Sequence, residues 1–286
     1  MIQASILFKN FVSGLSGQYD KDEATSIARI VFKEKLNISR TDLALDPALE
    51  IDKQGEDKIR RISKKLLEGY PVQQILGYTD FYGLKFKVNK NVLIPRPETE
   101  ELVQWIIKEN VGKNGLKVLD IGTGSGCISI TLAMELKNAK VTGIDISDKA
   151  LRLARVNAKM NEIKVHFKEL DVLENRSWEN LGKFDIIVSN PPYVTEHEKT
   201  AMHVNVLNHD PHLALFVPDS DPLRFYDKIS DMALLHLSFG GRLYFEINEA
   251  FGKDIQHMLE SKGFTDVLIR KDLNGKDRFV TGVLSS

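Results

Sequence analysis

The chain contains one cysteine, Cys127, among 286 residues. No intrachain disulfide can form, which fits a reducing compartment. Cys127 follows a glycine-rich turn on an apolar helix start, so it reads as a buried small side chain, not a nucleophile. A surplus of positive charge is also missing. Lys and Arg number 39 against 40 Asp and Glu, a formal net charge of −1. Proteins that grip nucleic acid through its phosphates usually carry a basic surplus, so no direct nucleic-acid partner is expected. No apolar run is long enough to span a bilayer, and no charged segment followed by an apolar one opens the chain. The expectation is a cytoplasmic protein without a membrane role, and a monomer. Internal repeats, low-complexity segments and a Ser-His-Asp arrangement are absent too. His209 and His212 flank Asp210 and Pro211, but two ligands without a third make a poor metal site, and no metal is expected.

Against these absences stands a dense motif, Asn190-Pro191-Pro192-Tyr193. It follows the strand-like run Phe184-Asp185-Ile186-Ile187-Val188-Ser189. Each proline fixes its own φ and biases the residue before it toward an extended conformation. The two make a stiff corner that projects Asn190 and nearby carbonyls in a fixed geometry, with Tyr193 as an aromatic wall. An amide side chain offers one acceptor oxygen and two donors. That suits holding a planar –NH2 group by its hydrogens, so Asn190, Pro191, Pro192 and Tyr193 are the candidate catalytic and substrate-binding residues.

Upstream, Val118-Leu119-Asp120-Ile121 leads into Gly122-Thr123-Gly124-Ser125-Gly126, and a helical pattern follows. Glycines at alternate positions let the backbone approach a ligand. Roughly 20 residues on, the strand Val141-Thr142-Gly143-Ile144-Asp145 ends in an acid able to take both hydroxyls of a ribose. The spacing is G-x-G-x-G, with no third glycine where a pyrophosphate-binding helix would need it, which argues against NAD.

Residues 1 to about 75 read as helices. Asp20 with Glu23 forms a capping-box pattern, and Ala24, Ile27, Ala28 and Val31 recur at helical spacing. Ile59, Ile62 and Leu66 mark a further amphipathic stretch, ended by Gly69 and Pro71. Alternation from Tyr78 to Ile94, with Asn89-Lys90-Asn91 as turn chemistry, predicts a β-hairpin linker over 76–97. From residue 98 to 286, strands are expected at 117–121, 141–146, 164–170, 184–189 and 241–247. Helices are expected at 98–109, 126–136, 148–160, 222–237 and 250–262. Such alternation implies an α/β, doubly wound, mainly parallel sheet. Asn274-Gly275 between Val267–Arg270 and Arg278–Val283 signals a closing hairpin and a reversed last strand.

These residues resemble the class I S-adenosylmethionine-dependent methyltransferases, and the Asn-Pro-Pro-Tyr corner resembles those that methylate a planar nitrogen. Pro71-Val72-Gln73-Gln74-Ile75-Leu76-Gly77, Phe81-Tyr82-Gly83-Leu84 and Ile94-Pro95-Arg96-Pro97-Glu98-Thr99-Glu100 narrow this. They are similar to the protein-(glutamine-N5) methyltransferases of peptide chain release factors, the PrmC or HemK family. The resemblance implies the Rossmann-like methyltransferase fold preceded by a helical, release-factor-binding domain. It implies methyl transfer from S-adenosyl-L-methionine to the glutamine of the release factors' GGQ motif. Gly122, Thr123, Gly124, Ser125 and Gly126 would border the methionine portion, Asp145 the ribose, and Asp171 and Val172 the adenine, with Asn190 beside the reacting methyl. One departure is visible: the family's Glu-Pro before an Ala-Leu pair is here Asp210-Pro211-His212-Leu213-Ala214-Leu215. The rival reading is a nucleic-acid methyltransferase acting on adenine N6 or guanine N2, where an exocyclic amine poses the same geometric problem.

Overall fold

The computed structural model describes residues 1–201, 211 and 214–285. His209, Asp210 and His212 lie outside the described residues. The chain divides into two compact units, one beginning at Met1 and running to Gly77, the other beginning at Tyr78.

The first unit opens with the short strand β1 (Ile2–Gln3) and helix α1 (Ala4–Leu15). Ala4, Leu7, Phe11 and Leu15 recur every three or four residues and are all buried. Helix α2 (Lys21–Leu36) starts at Asp20, whose carboxylate accepts the N–H groups of Asp22 and Glu23. The reciprocal capping box occurs one helix later, between Ser39 and Asp42 at the start of α3 (Arg40–Leu45). Strand β2 (Glu50–Ile51) pairs antiparallel with β1, so this unit is helical with one small bridge rather than purely helical. Helices α4 (Lys53–Leu67) and α5 (Val72–Leu76) complete it. Ile59, Ile62 and Leu66 form the buried stripe of α4. Each such side chain contributes about 1.5–3 kcal/mol through burial.

The second unit begins with a hairpin of β3 (Tyr78–Phe81) and β4 (Leu84–Lys87). Its turn is Tyr82-Gly83, with φ of 48° and 76°, not the expected Asn89-Lys90-Asn91. A two-residue hairpin turn of this kind needs two positive φ values; Tyr-Gly supplies them without an Asn-Gly signature. Asn89 instead accepts the Asn91 N–H and closes a local turn after the hairpin. Glu100 accepts the Tyr82 N–H at 2.8 Å, which assigns that member of the Pro-Arg-Pro-Glu-Thr-Glu string to holding the hairpin.

Helix α6 (Pro97–Glu109) then alternates with sheet: β5 (Lys117–Ile121), α7 (Cys127–Glu135), β6 (Lys140–Asp145), α8 (Asp148–Met160), β7 (His166–Glu169) and β8 (Phe184–Ser189). The pair β9 (Val194–Thr195) and β10 (Phe216–Val217) follows, then α9 (Arg224–His236), β11 (Leu237–Glu246), α10 (Gly252–Ser261), β12 (Phe264–Lys271) and β13 (Asp277–Leu284). The strand order is β12-β13-β11-β8-β5-β6-β7. All neighbours from β11 to β7 are parallel, while β13 runs antiparallel to both its neighbours. The reversed last strand is therefore interior, with β12 at the edge. β7 is shorter than the expected 164–170, and β11 starts four residues earlier than expected, with a register shift between Leu237 and Arg242.

Both sheet faces are covered, as the continuous buried runs of the central strands β5 and β8 require, since successive side chains point to opposite faces. Leu119, Ile121, Ile187 and Phe245 pack with Ile229 and Met232 of α9 and Ile255 and Leu259 of α10. Val118, Ile186, Val188 and Tyr244 pack with Leu102 of α6, Ile130 of α7 and Leu151 of α8.

Candidate active site

Sheet register delivers the site. Ile121 pairs with Ile144 on one side and Ser189 on the other, and Ser189 pairs with Phe245. The next residue on each strand is Gly122, Asp145, Asn190 and Glu246. All four therefore leave the sheet at one level, at the carboxyl ends of four parallel strands. Strands lie about 4.8 Å apart, so Asp145 and Asn190, on either side of β5, start roughly 10 Å from each other. This is the edge where open α/β sheets bind ligands. Asp171 and Val172 lie just beyond β7, the next strand out.

The glycine turn is held by acids. The Asp145 carboxylate accepts the Gly124 N–H at 2.9 Å with one oxygen and the Ser147 N–H at 2.9 Å with the other. Each oxygen keeps a second lone pair for a ligand hydroxyl. Gly126 caps α7 with φ 83°. A Cβ there would stand 2.9 Å from Ile130 Cδ1 and 3.2 Å from Ala154 Cβ, so both conformation and helix packing require glycine. Asn157 of α8 ties the Ser125 carbonyl to the Lys87 backbone.

Asp120, two residues before Gly122, is a further candidate that the sequence pattern does not single out. It is fully buried, and Oδ2 accepts the Thr123 hydroxyl at 2.6 Å and the Ser129 N–H at 3.1 Å. Its Oδ1 and the buried Ser125 hydroxyl have no partner within the protein. Burial pushes the Asp120 carboxyl up to about 7. Burial likewise raises Asp145.

At the Asn-Pro-Pro-Tyr corner, Asn190 Nδ2 donates to the Thr99 hydroxyl at 3.2 Å. Thr99 donates to Glu246 Oε2 at 2.7 Å, and the Tyr193 hydroxyl donates to Glu246 Oε1 at 3.2 Å. Asn248 Nδ2 donates to the Tyr193 carbonyl and to Glu198, which in turn accepts the Thr195 N–H. Pro191 is buried, and Pro192 is partly so. Burial pushes Glu246 up to about 7 despite Thr99 and the Arg278 charge. Arg278 is itself held by Asp272 and the Ile247 carbonyl.

Asp171 Oδ1 accepts the Leu173 N–H, and the Val172 carbonyl accepts the Trp178 indole N–H. Beyond them Asn175–Trp178 forms a 3-10 turn whose tryptophan joins the core. Cys127 is buried, and its thiol is pushed up to about 12 by burial. Among the described residues, no three His, Cys, Asp or Glu side chains are grouped as metal ligands, and no helix is long and apolar enough to cross a membrane.

Two family models match the chain: the PrmC N-terminal domain over residues 7–77 and the methyltransferase small domain over residues 99–213. A release factor glutamine methyltransferase of Flavobacterium psychrophilum is 48% identical over 283 residues, covering 96% of this chain and 98% of that protein. The chain belongs to the release factor glutamine methyltransferase family. Its Bacteroides thetaiotaomicron relative is 44% identical over 263 residues, covering 92% of this chain and 94% of that one. Among solved structures, the hMettl16 catalytic domain in complex with an RNA hairpin aligns with a TM-score of 0.55 at 14% identity, over 83% of this chain and 84% of that one. A 16S rRNA N2 G1207 methyltransferase of T. thermophilus, in complex with AdoMet and guanosine, has a TM-score of 0.50 at 20% identity, over 73% and 50%. These structural likenesses show the methyltransferase fold alone; family membership separates the chain from the nucleic-acid reading.

Proposed function

We propose that this chain transfers a methyl group from S-adenosyl-L-methionine to the side-chain amide nitrogen of the GGQ glutamine in peptide chain release factors. The observation that carries the reading is the shared level of the glycine turn, Asp145 and Asn190 at one sheet edge. The residues present fit the cofactor's chemistry. Asp120 Oδ1 and the Ser125 hydroxyl are buried without protein partners, and the nearby acids Asp120 and Asp145 suit a ligand bearing two positive charges. When bound, S-adenosyl-L-methionine supplies a methyl group activated by its sulfonium. Gly122 to Gly126 would border its methionine portion, Asp145 the ribose, and Asp171 and Val172 the adenine.

A glutamine amide nitrogen is a poor nucleophile because its lone pair is delocalised into the carbonyl. Asn190 Oδ1 and the Pro191 carbonyl would accept the two N–H bonds of the substrate. They orient the nitrogen and stabilise positive charge as it develops, a preorganised electrostatic effect. No strong general base is needed, because the methylated amide loses its proton readily to water.

Cofactor binding is expected to release protons near pH 7. The Asp120 carboxyl titrates near 7 in the folded protein, against about 3.9 for an ordinary aspartate. Between those values the folded chain holds a proton that the unfolded chain has lost, so this group makes unliganded stability fall as pH rises from about 4 to about 7. A cationic ligand reverses the trend by favouring the carboxylate. Calorimetry in two buffers of different ionisation heat should show proton release, with affinity increasing from pH 6 to pH 8. Proton uptake would contradict the placement of the cationic groups.

The helical unit is proposed to dock the release factor. On α4, Glu56 and Asp57 pair with Lys53 and Arg60. Lys58, Arg61 and Lys65, at helical spacing on another face, line a concavity with Lys35, Ile62 and Ile75. That basic groove suits an acidic stretch of the protein substrate. Reversing Arg61 and Lys65 to glutamate is expected to raise KM for the release factor about five- to thirty-fold and to flatten or reverse its salt dependence, with kcat nearly unchanged. An unchanged KM would make the helices a stabilising cap.

A further inference from the structure

We propose that Thr99 and Glu246 are a positioning pair that fixes which end of the Asn190 amide faces the substrate. This rests on the reading of Asn190 as the amine clamp and extends it to two residues on other elements.

The two ends of an asparagine amide have nearly the same shape, so packing alone sets their direction poorly. Only one direction serves this reaction. The oxygen must meet the hydrogens of the substrate –NH2; a flipped amide would set N–H groups against N–H groups. The hydrogen-bond chain removes the ambiguity. At pH 8, above the value of about 7 to which burial pushes Glu246, its carboxylate is ionised and can only accept. Glu246 Oε2 takes the single hydroxyl hydrogen of Thr99 at 2.7 Å. Only lone pairs then remain on Thr99 Oγ1, so it can meet only the nitrogen end of Asn190, which lies 3.2 Å away. Asn190 Oδ1 is thereby turned away from Thr99 and left as the acceptor.

The pair is built to hold that direction. Thr99 and Glu246 are 3% and 1% exposed, so water does not compete for the bonds. The second Glu246 oxygen accepts the Tyr193 hydroxyl at 3.2 Å, which stops the carboxylate turning and ties the aromatic wall to the same anchor. Thr99 sits in the first turn of α6 and Glu246 at the end of β11. The clamp on the β8 loop is therefore set from two independent elements of the second unit.

The test compares Thr99→Val, which keeps the shape and loses the hydroxyl, with Thr99→Ser, which keeps the hydroxyl. Full-length enzyme is assayed with S-adenosyl-L-methionine and intact release factor, beside Asn190→Ala. Thr99→Val is expected to lower kcat about 10- to 100-fold, the scale seen when residues orienting an active group are removed, with KM for the release factor within about three-fold. Thr99→Ser should restore kcat to within about three-fold of wild type. Spectra of protein carrying ¹⁵N-asparagine give a readout apart from activity: the Asn190 side-chain N–H resonances should shift in Thr99→Val and stay near wild type in Thr99→Ser. Wild-type turnover in Thr99→Val beside an inactive Asn190→Ala would overturn the positioning pair and leave the clamp standing. Activity in Asn190→Ala would instead remove the clamp itself. Should Thr99→Val not fold, Asn190→Asp decides: it keeps acceptor oxygens but has no N–H for Thr99. Loss of turnover is expected there, and wild-type turnover would overturn the pair.

Discussion

Asn190→Ala is expected to lower kcat about 100- to 1,000-fold, the effect of removing one preorganised hydrogen-bonding group aimed at developing charge. Cofactor affinity should stay within a few-fold. The division follows from geometry. The Asn190 nitrogen is engaged by Thr99, so its oxygen is the group offered to the substrate. A bond to the amine strengthens as the nitrogen becomes positive, and an interaction stronger in the transition state appears in kcat. Asp145 and the glycine turn are bonded to each other on the far side of β5, so cofactor binding does not depend on the lost amide. Equilibrium binding and single-turnover kinetics on the same preparation check both halves. Near-normal kcat would sink the clamp mechanism.

Asp145→Ala should weaken S-adenosyl-L-methionine binding by roughly 1.5–3 kcal/mol, the scale of charged hydrogen bonds lost on truncation, or about ten- to 150-fold in Kd. Two losses combine. The ribose hydroxyls would lose their acceptor, and the Gly124 and Ser147 N–H groups lose theirs, so the turn that borders the methionine portion loosens as well. Titration calorimetry measures the effect, and unchanged affinity would remove Asp145 from the cofactor site.

The parts of the fold and site legible in sequence are those written over short stretches. β5, the glycine turn and α7 are contiguous, and each strand-end residue announces itself by ending an apolar run. α8 fits its expected bounds because Ser147 caps it and its apolar positions keep helical spacing. The hairpin turn is not legible because Tyr82 adopts φ 48° without being Asn or Asp, while Asn89-Lys90-Asn91 carries turn residues that serve a different local bend. Asp120 was hidden by its apolar neighbours; an acid inside a buried strand end was the available signal. The Thr99–Glu246 bond joins residues 147 positions apart. Only the topology that sets α6 over β11 brings them together, and no local pattern reports it. The one local signal for Glu246 is its place as the polar residue that ends β11, as Asp145 ends β6.

The central claim is that this site methylates a release-factor glutamine. The most direct test is incubation of the purified chain with methyl-labelled S-adenosyl-L-methionine and either intact release factor or bulk nucleic acid, followed by mass spectrometry of the peptide containing the GGQ motif. The account predicts one added methyl group on that glutamine, and none on release factor whose GGQ glutamine is replaced. Label in nucleic acid with an unmodified GGQ peptide would contradict it.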